Sequence, residues 1–416
     1  MDITRTIACT LLAVAAAAPA PAIAQDRPLT ADFPEVYRAG GLNGPDWAQF
    51  TNPSRMGFDA AGNLYVLDHS AFQVVVIGPG GDFMITAGRE GGGPGEFRNP
   101  TDLLVWRDGR FGVVDIEHGA YQLFGPRGEL ERFVRMSSTA GEAGMAAVRN
   151  RLRPDPSGGA VFAEGAGIGA SLFAAMTETR GGGDVDVGGE VGKLERIDLT
   201  GEAAVAETLA RARRIPPDDP DRDRPHFAPP VYWDLLPDRT IAYVDSTAYE
   251  ITLLGADGQA RGVLTRPIPP ETVTARIRTA VREHLLEELD EEGLGALNEK
   301  PEFMSEDMWR QMTEQMTAQQ RERIESQEYF PEIPVVRGLR ATWDGSLWVQ
   351  RRGADPWDYE GPIDVLGPNG EYRGTFAAGE LEMPRAFGPN GLVAYVEMDE
   401  MDVPTIVVKR LPAEVR

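Results

Sequence analysis

The chain has 416 residues, a net charge of −24 and a single cysteine, Cys9. A negative field of this size repels nucleic acid and anionic lipid, so neither is expected as a partner. One cysteine excludes an intrachain disulfide and a multi-thiolate metal site, while 47 glycines and 32 prolines are typical of a turn-rich β protein.

The first 24 residues have the features of a cleavable signal peptide. Residues 7–18 are apolar but too short to span a bilayer well, and Ala22-Ile23-Ala24 matches the small-residue cleavage pattern. The competing interpretation is a retained membrane anchor. We expect cleavage before Gln25, a periplasmic or extracellular location, and no membrane span in the mature chain.

A sequence repeat follows the signal peptide. Asp68 recurs as Asp115, an offset of 47 residues, and six further residues recur at that offset: Asn52, Pro53, Gly62, Gly78, Pro79 and Gly81. Each copy has an Asn-Pro before a strand, a glycine hairpin, an alternating apolar strand, and a Gly-Pro-x-Gly turn before a further strand. Four short antiparallel strands in about 45 residues form one blade of a β-propeller.

Weaker copies near residues 156–201, 241–258, 344–370 and 389–409 bring the number of blades to six. The sixth copy ends before its fourth strand, and an apolar strand near residues 35–40 precedes the first copy. We therefore predict a six-bladed propeller over residues 25–416, with four-stranded antiparallel blades. The N-terminal strand closes the ring as the outermost strand of the last blade, which removes a free sheet edge.

Residues 92–100 read Gly-Gly-Pro-Gly-Glu-Phe-Arg-Asn-Pro and precede an Asp-Gly hairpin. This segment resembles the NHL-repeat and TolB-like propellers, and more closely the exported bacterial six-bladed β-propeller family. The resemblance implies the fold but not the function, because these families include binding proteins, lyases and lactonases.

Three segments interrupt the repeat. A Gly-rich loop covers residues 164–192, and a Pro/Asp/Arg loop covers residues 211–229. The acids of the second loop could bind Ca²⁺, but they lack the glycine and terminal Glu of an EF-hand, which favours a solvated loop. The third insertion, about residues 270–330, lies between blades four and five. Apolar residues recur there every four positions, and Gly293 followed by an N-cap at Ser305 predicts two helices. They are expected to dock on the propeller or to cover a ligand as a lid.

The innermost strands of a propeller line its central channel, so ligand-binding residues are expected near their starts. The candidate residues there are Arg55, Asp102, Arg151, Tyr232, Arg340 and Arg385. Guanidinium groups arranged in a ring could hold a carboxylate or a phosphate by bidentate hydrogen bonds. The alternative is that each arginine pairs with an acid between blades, such as Asp102 or Asp234.

A binding or scaffold propeller without catalysis of its own is the favoured function. We expect a monomer that binds a small anionic ligand, a protein or a peptide and needs no cofactor. The alternative is a channel-sited hydrolase or lyase of the gluconolactonase or paraoxonase type, for which Ca²⁺ would be the cofactor. Such enzymes hold the ion with inner-strand Glu, Asn and Asp, and Asn52, Asn99 and Asp102 are the nearest equivalents in type. No catalytic residue is assigned, and the four histidines show no zinc-site spacing.

Overall fold

The computed structural model describes residues 25–136, 150–165, 192–212, 225–293 and 304–416. The predicted signal peptide lies outside the described residues, as do most of the Gly-rich loop and the acids of the Pro/Asp/Arg loop. Within the described ranges, no helix has both the length and the apolar character needed to cross a membrane.

The first three blades follow the chain. Blade 1 contains β2 (Pro53–Phe58), β3 (Leu64–Asp68), β4 (Gln73–Ile77) and β5 (Phe83–Ala87). Blade 2 contains β6 (Pro100–Val105), β7 (Phe111–Asp115), β8 (Ala120–Phe124) and β9 (Leu130–Arg135). Blade 3 contains β10 (Asn150–Pro154), β11 (Ala160–Glu164), β12 (Lys193–Asp198) and β13 (Val205–Arg211).

The last three blades complete the ring. Blade 4 contains β14 (Tyr232–Leu235), β15 (Ile241–Val244), β16 (Glu250–Leu254) and β17 (Ala260–Thr265). Blade 5 contains β20 (Val336–Ala341), β21 (Leu347–Arg351), β22 (Ile363–Leu366) and β23 (Tyr372–Phe376). Blade 6 contains β24 (Ala386–Phe387), β25 (Leu392–Met398), β26 (Pro404–Arg410) and, from the N-terminus, β1 (Glu35–Gly40). The prediction of a six-bladed propeller is confirmed by this sheet order.

The N-terminal strand closes the ring as predicted. β1 pairs antiparallel with β26, so that Ala39 lies opposite Ile406 and Gly40 lies opposite Thr405. The hairpin glycines also have the backbone conformation that the repeat predicts. Gly62 and Gly109 both have φ near +87°, a conformation that side-chain-bearing residues rarely adopt.

The core of the described chain is divided among the interfaces between blades. Six buried apolar clusters each join residues of two neighbouring blades. At the interface of blades 1 and 2, Tyr65 donates a hydrogen bond of 2.8 Å to the carbonyl of Gly109. The rings of Phe111 and Phe124 stack there with centroids 4.9 Å apart. The fold is therefore held by blade-to-blade packing around the ring.

Residues 26–29, which we call the N-terminal strap, lie along the outer edge of blade 5. Pro28 forms a parallel bridge with Thr375. The Asp26 carboxylate forms ion pairs with Arg266 at 3.0 Å and with Arg351 at 2.6 Å. The strap therefore covers the exposed edge of β23, a role that sequence analysis did not assign to it.

The helical insertion contains α1 (Ala275–Glu292) and α2 (Glu306–Ser326), as predicted. A two-stranded ladder at its base joins β18 (Glu271–Thr272) to β19 (Glu332–Ile333). Ser305 caps α2 by accepting a hydrogen bond from the backbone N–H of Met308. The predicted N-cap is thus confirmed.

The insertion docks on the propeller through a seventh apolar cluster. Val281 of α1 is fully buried there with Phe227 and Ile333. His284 stacks on Trp357 of blade 5 with ring centroids 4.4 Å apart. The insertion is therefore packed against blades 4 and 5, where the sequence predicted docking.

The two faces of the ring differ in their connections. We call the face where the innermost strands begin the front face and the opposite one the rear face. Because blades are antiparallel, connections after the second and fourth strands lie at the front. The helical insertion lies at the front face. The strand ends that flank residues 137–149, 166–191 and 213–224 lie there as well. The rear carries short hairpins such as 59–63 and 106–110.

Candidate functional site

The innermost strands of all six blades surround a cavity of about 190 Å³ on the channel axis. Its charged lining includes Arg153, Asp234, Arg340 and Arg385. Its apolar lining includes Met56, Phe58, Leu103, Val105, Trp343 and Phe387. Concave sites that combine apolar walls with a few convergent polar groups are the usual form of small-molecule sites.

The channel residues lie at two depths, which can be counted back from the first residue of each rear hairpin. These first residues are Asp59, Trp106, Asp155, Leu236, Thr342 and Gly388. Four positions before them lie Arg55, Asp102, Arg151 and Tyr232, which we call the outer layer. Two positions before them lie Arg153, Asp234 and Arg340, which we call the inner layer. Side chains two positions apart on a strand share a side.

The outer layer pairs residues of neighbouring blades. Arg55 Nε lies 3.3 Å from Asp102 Oδ1 and joins blades 1 and 2. The guanidinium of Arg151 lies 5.4 Å from the ring centre of Tyr232, a cation–π contact that joins blades 3 and 4. Burial raises the pKa of Asp102, although the charges of Arg55 and Arg153 oppose the shift.

The inner layer contains one tight ion pair. Arg153 Nε donates to Asp234 Oδ1 at 2.5 Å, and the other oxygen of Asp234 accepts the backbone N–H of Ala341 at 3.0 Å. Burial opposes ionisation of Asp234, but the charges of Arg153 and Arg340 outweigh it and lower its pKa. Asp234 therefore binds blades 3 and 5 to its own blade.

Arg340 has no carboxylate within ion-pair distance among the residues that the structure describes, and Arg385 has none either. Burial lowers the pKa of Arg340 to about 9, and the positive charges of Arg153, Arg151 and Arg385 contribute. The guanidinium stays protonated at neutral pH. Among the described residues, the two layers together with Arg385 contribute five arginines and two aspartates, in a chain with a net charge of −24.

Arg337 extends the basic character of the front face towards the helical insertion. Its guanidinium lies 4.7 Å from the ring centre of Tyr359 and 6.0 Å from that of Phe227. Burial lowers its pKa. Phe227 also packs against α1, so the insertion borders the channel mouth.

The rear end of the cavity is covered by an aromatic contact across the ring. Trp343 comes from the rear hairpin of blade 5 and Arg107 from that of blade 2, on the opposite side of the ring. The Arg107 guanidinium lies 4.7 Å from the Trp343 ring centre. Trp343 also packs against the apolar cluster of blades 1 and 6. The rear of the channel is therefore narrowed by a large indole, and the arginines of the two layers lie on the front side of that indole.

All six predicted candidates belong to the first strands of their blades or adjoin them. Five of them fall into the two layers instead of the single ring that the sequence suggested, and Arg385 lies at a depth between these layers. Arg55 is paired with Asp102, as the inter-blade alternative required, whereas Arg340 and Arg385 have no carboxylate within ion-pair distance in the described chain. Sequence reasoning missed Arg153 and Trp343. Arg153 could have been found, because it lies on the same innermost strand as Arg151 and two positions nearer to the rear hairpin.

The main-chain groups of Asn52 and Asn99 form hydrogen bonds near the blade junctions. Their N–H groups donate to Asp68 and Asp115, and their carbonyls accept from His69 and Ile116. In the part of the chain that the structure describes, no three His, Cys, Asp or Glu side chains are grouped so that they could hold a metal ion.

No protein-family model and no curated protein sequence matches this chain. Solved structures with a similar shape include a member of the DUF4221 family from Bacteroides vulgatus. It is 8% identical, with a TM-score of 0.49 and coverage of 91% of this chain and 99% of that chain.

Two enzymes are also similar in shape. Virginiamycin B lyase from Staphylococcus aureus is 10% identical over 90% of this chain and 99% of its own, with a TM-score of 0.40. A gluconolactonase from Xanthomonas campestris is 12% identical over 88% of this chain and 87% of its own, with a TM-score of 0.38. Likeness at this level gives no basis for transferring a reaction or a ligand.

Proposed function

We propose that this protein is a binding propeller that holds a small anion, a carboxylate or a phosphate, at the arginines of its central channel. The observation that supports this most directly is the incompletely compensated charge of Arg340. Its guanidinium is largely enclosed and lies near three other arginines. Asp234 acts on it from beyond ion-pair distance but is already paired with Arg153. A bound anion would supply the missing negative charge.

The backbone at Arg151 gives independent support. Arg151 has φ +48°, and the pairing of β10 with β11 shifts register between Asn150 and Arg153. A left-handed conformation at a residue other than glycine costs on the order of 1 kcal/mol, and such strain is concentrated at functional sites. In this protein the left-handed conformation accompanies the contact of the Arg151 guanidinium with the Tyr232 ring at the channel mouth.

Arg340→Met tests the proposal. The substitution keeps much of the side-chain volume and removes the charge, so it relieves repulsion among the arginines and should not destabilise the fold. Loss of one charged hydrogen bond should weaken binding of inorganic phosphate or acetate roughly 10- to 100-fold. Titration calorimetry at constant ionic strength measures the affinity, and thermal unfolding measures the stability.

Arg127→Gln is the matched control. Arg127 is an exposed arginine in a rear hairpin, paired with Glu129 at 3.5 Å, and its loss changes the net charge by the same amount. It should leave anion binding unchanged. Equal affinities for both anions in the wild type, Arg340→Met and Arg127→Gln would contradict the proposal.

A further inference from the structure

The channel cavity has a polar end and an apolar end. Arg153, Arg340 and Arg385 border it from three blades. Closer to the rear it is lined by Phe58, Val105 and Phe387, each one position before the first residue of its rear hairpin. An inorganic anion would use only the first of these surfaces and would leave the apolar walls without a partner.

The apolar end is closed by a defined residue. Trp343 stacks with Arg107 from the opposite blade at 4.7 Å, and it is itself part of the cavity lining. A ligand that enters from the front would therefore meet the indole after passing the arginines. The distance available to its apolar part is set by the position of Trp343.

The cavity is large enough for a small apolar group. Its volume of about 190 Å³ exceeds the roughly 150 Å³ of an engineered cavity that binds benzene. An apolar group of about six to eight carbon atoms, a short chain or one ring, is the size that such a space accepts.

We propose that the ligand is an amphiphilic carboxylate whose charged head lies at the arginines and whose apolar part fills the cavity as far as Trp343. This inference rests on the proposed anion site and adds the class of the ligand. Trp343 acts as a length-determining residue. The apolar part is bound because its transfer from water into the cavity is favourable.

A series of straight-chain carboxylates tests this inference. Acetate, butyrate, hexanoate, octanoate and decanoate are titrated into the whole protein at constant ionic strength. Each added methylene should raise the affinity about three- to fourfold until the cavity is full. Decanoate should bind no more tightly than octanoate. Phenylacetate, with one ring, should bind far more tightly than acetate.

Trp343→Ala should move the optimum to longer chains, so that decanoate gains affinity relative to hexanoate. Trp343→Leu, which keeps an apolar side chain at the hairpin, gives a second measurement if the alanine variant folds poorly. Trp309→Ala, in α2 of the helical insertion, is the control and should leave the order of affinities unchanged.

The outcomes separate the two proposals. If acetate and hexanoate bind equally and Arg340→Met weakens both, the amphiphilic ligand is wrong and the anion site stands. An unchanged optimum in both Trp343 variants would likewise overturn the length-determining role. If neither phosphate nor any carboxylate binds the wild type, both proposals fail.

Discussion

At the scale of single residues, Asp115 shows how one carboxylate holds a blade together. The side chain is fully buried. It accepts backbone hydrogen bonds from Arg98 at 2.9 Å and Asn99 at 3.1 Å, and it contacts His118 Nδ1 at 2.8 Å. Asp68 makes the same backbone contacts with Thr51 and Asn52. The repeated aspartate therefore fixes the chain that enters the first strand of its own blade.

Asp115→Asn should destabilise the protein by about 1–3 kcal/mol, because an amide has one acceptor oxygen and leaves a buried backbone N–H without a partner. Glu117→Gln, an exposed neighbour, removes the same charge and should have almost no effect. Urea unfolding of the three proteins at pH 7 measures the difference. Equal loss of stability in both variants would contradict this role.

The same pair of proteins gives a pH prediction. Burial opposes ionisation of Asp115, but the hydrogen bonds from Arg98, His118 and Asn99 outweigh it and lower its pKa. A carboxyl whose pKa is lower in the folded state stabilises the fold above its unfolded pKa of about 3.9. That contribution is lost as the pH falls through the folded pKa. The stability gap between wild type and Asp115→Asn should therefore narrow below about pH 4.

At the scale of secondary-structure elements, the pairing of β1 with β26 joins the two ends of the chain. A propeller without this strand would expose the edge of β26, and exposed edges recruit other strands. The register puts Arg38 opposite Val407 and Tyr37 opposite Val408. Because Cys9 is the only cysteine, engineered cysteine pairs can report this register without competing thiols in the described chain.

Arg38→Cys combined with Val407→Cys should form a disulfide under mild oxidation. The bond closes a long loop and should stabilise the fold by about 2–4 kcal/mol. A mobility shift on a non-reducing gel and the thermal midpoint measure the two effects. Arg38→Cys with Val408→Cys is the control, since a slip of one residue places the side chain on the other side of the sheet. Similar cross-linking of both pairs would show that the register is wrong.

At the scale of the whole molecule, the two faces of the ring have different roles in the structure. The rear carries tight hairpins and the Trp343–Arg107 contact. The front carries the outer layer of channel residues and the helical insertion. Insertions in repeat proteins map to loops on one face, which is often the binding face. The front is therefore the face on which ligand binding should be sought.

The helical insertion should be separable from the ring. The six interface clusters contain no residue from 273–331, and the ladder of β18 with β19 ends with Thr272 opposite Glu332. Joining these two residues by an Asn-Gly turn, which suits a two-residue hairpin, excises the insertion. The remaining chain should fold cooperatively and lose at most about 3 kcal/mol, chiefly from exposure of Phe227.

Circular dichroism and urea unfolding measure this outcome. Two matched substitutions show whether folding depends on the docking cluster of the insertion or on the packing between blades. Val281→Asp places a charge in the docking cluster, and Val75→Asp places one between blades; both valines are fully buried. Only Val75→Asp should abolish folding. An excised chain that fails to fold would show that the insertion is part of the core.

The sequence by itself determined the number of blades, the closure by β1 and the two helices of the insertion. These are local properties: the spacing of Gly62, Asp68 and their counterparts encodes the turns, and apolar periodicity encodes the strands and helices. It also located most of the channel arginines, because residues early in equivalent strands must lie near one another. The predicted export stays a prediction, since residues 1–24 lie outside the described chain.

Only the tertiary structure decided which arginines are neutralised. Arg55 and Arg340 look alike in the sequence, yet Arg55 lies beside Asp102 and Arg340 has no carboxylate within ion-pair distance in the described chain. Trp343 and Arg107 are far apart in the sequence, and Asp26 meets Arg351 only after the ring has formed. Ion pairs and stacking depend on distances of a few ångströms between blades. A repeat fixes each blade, but those distances are set when all six blades pack together.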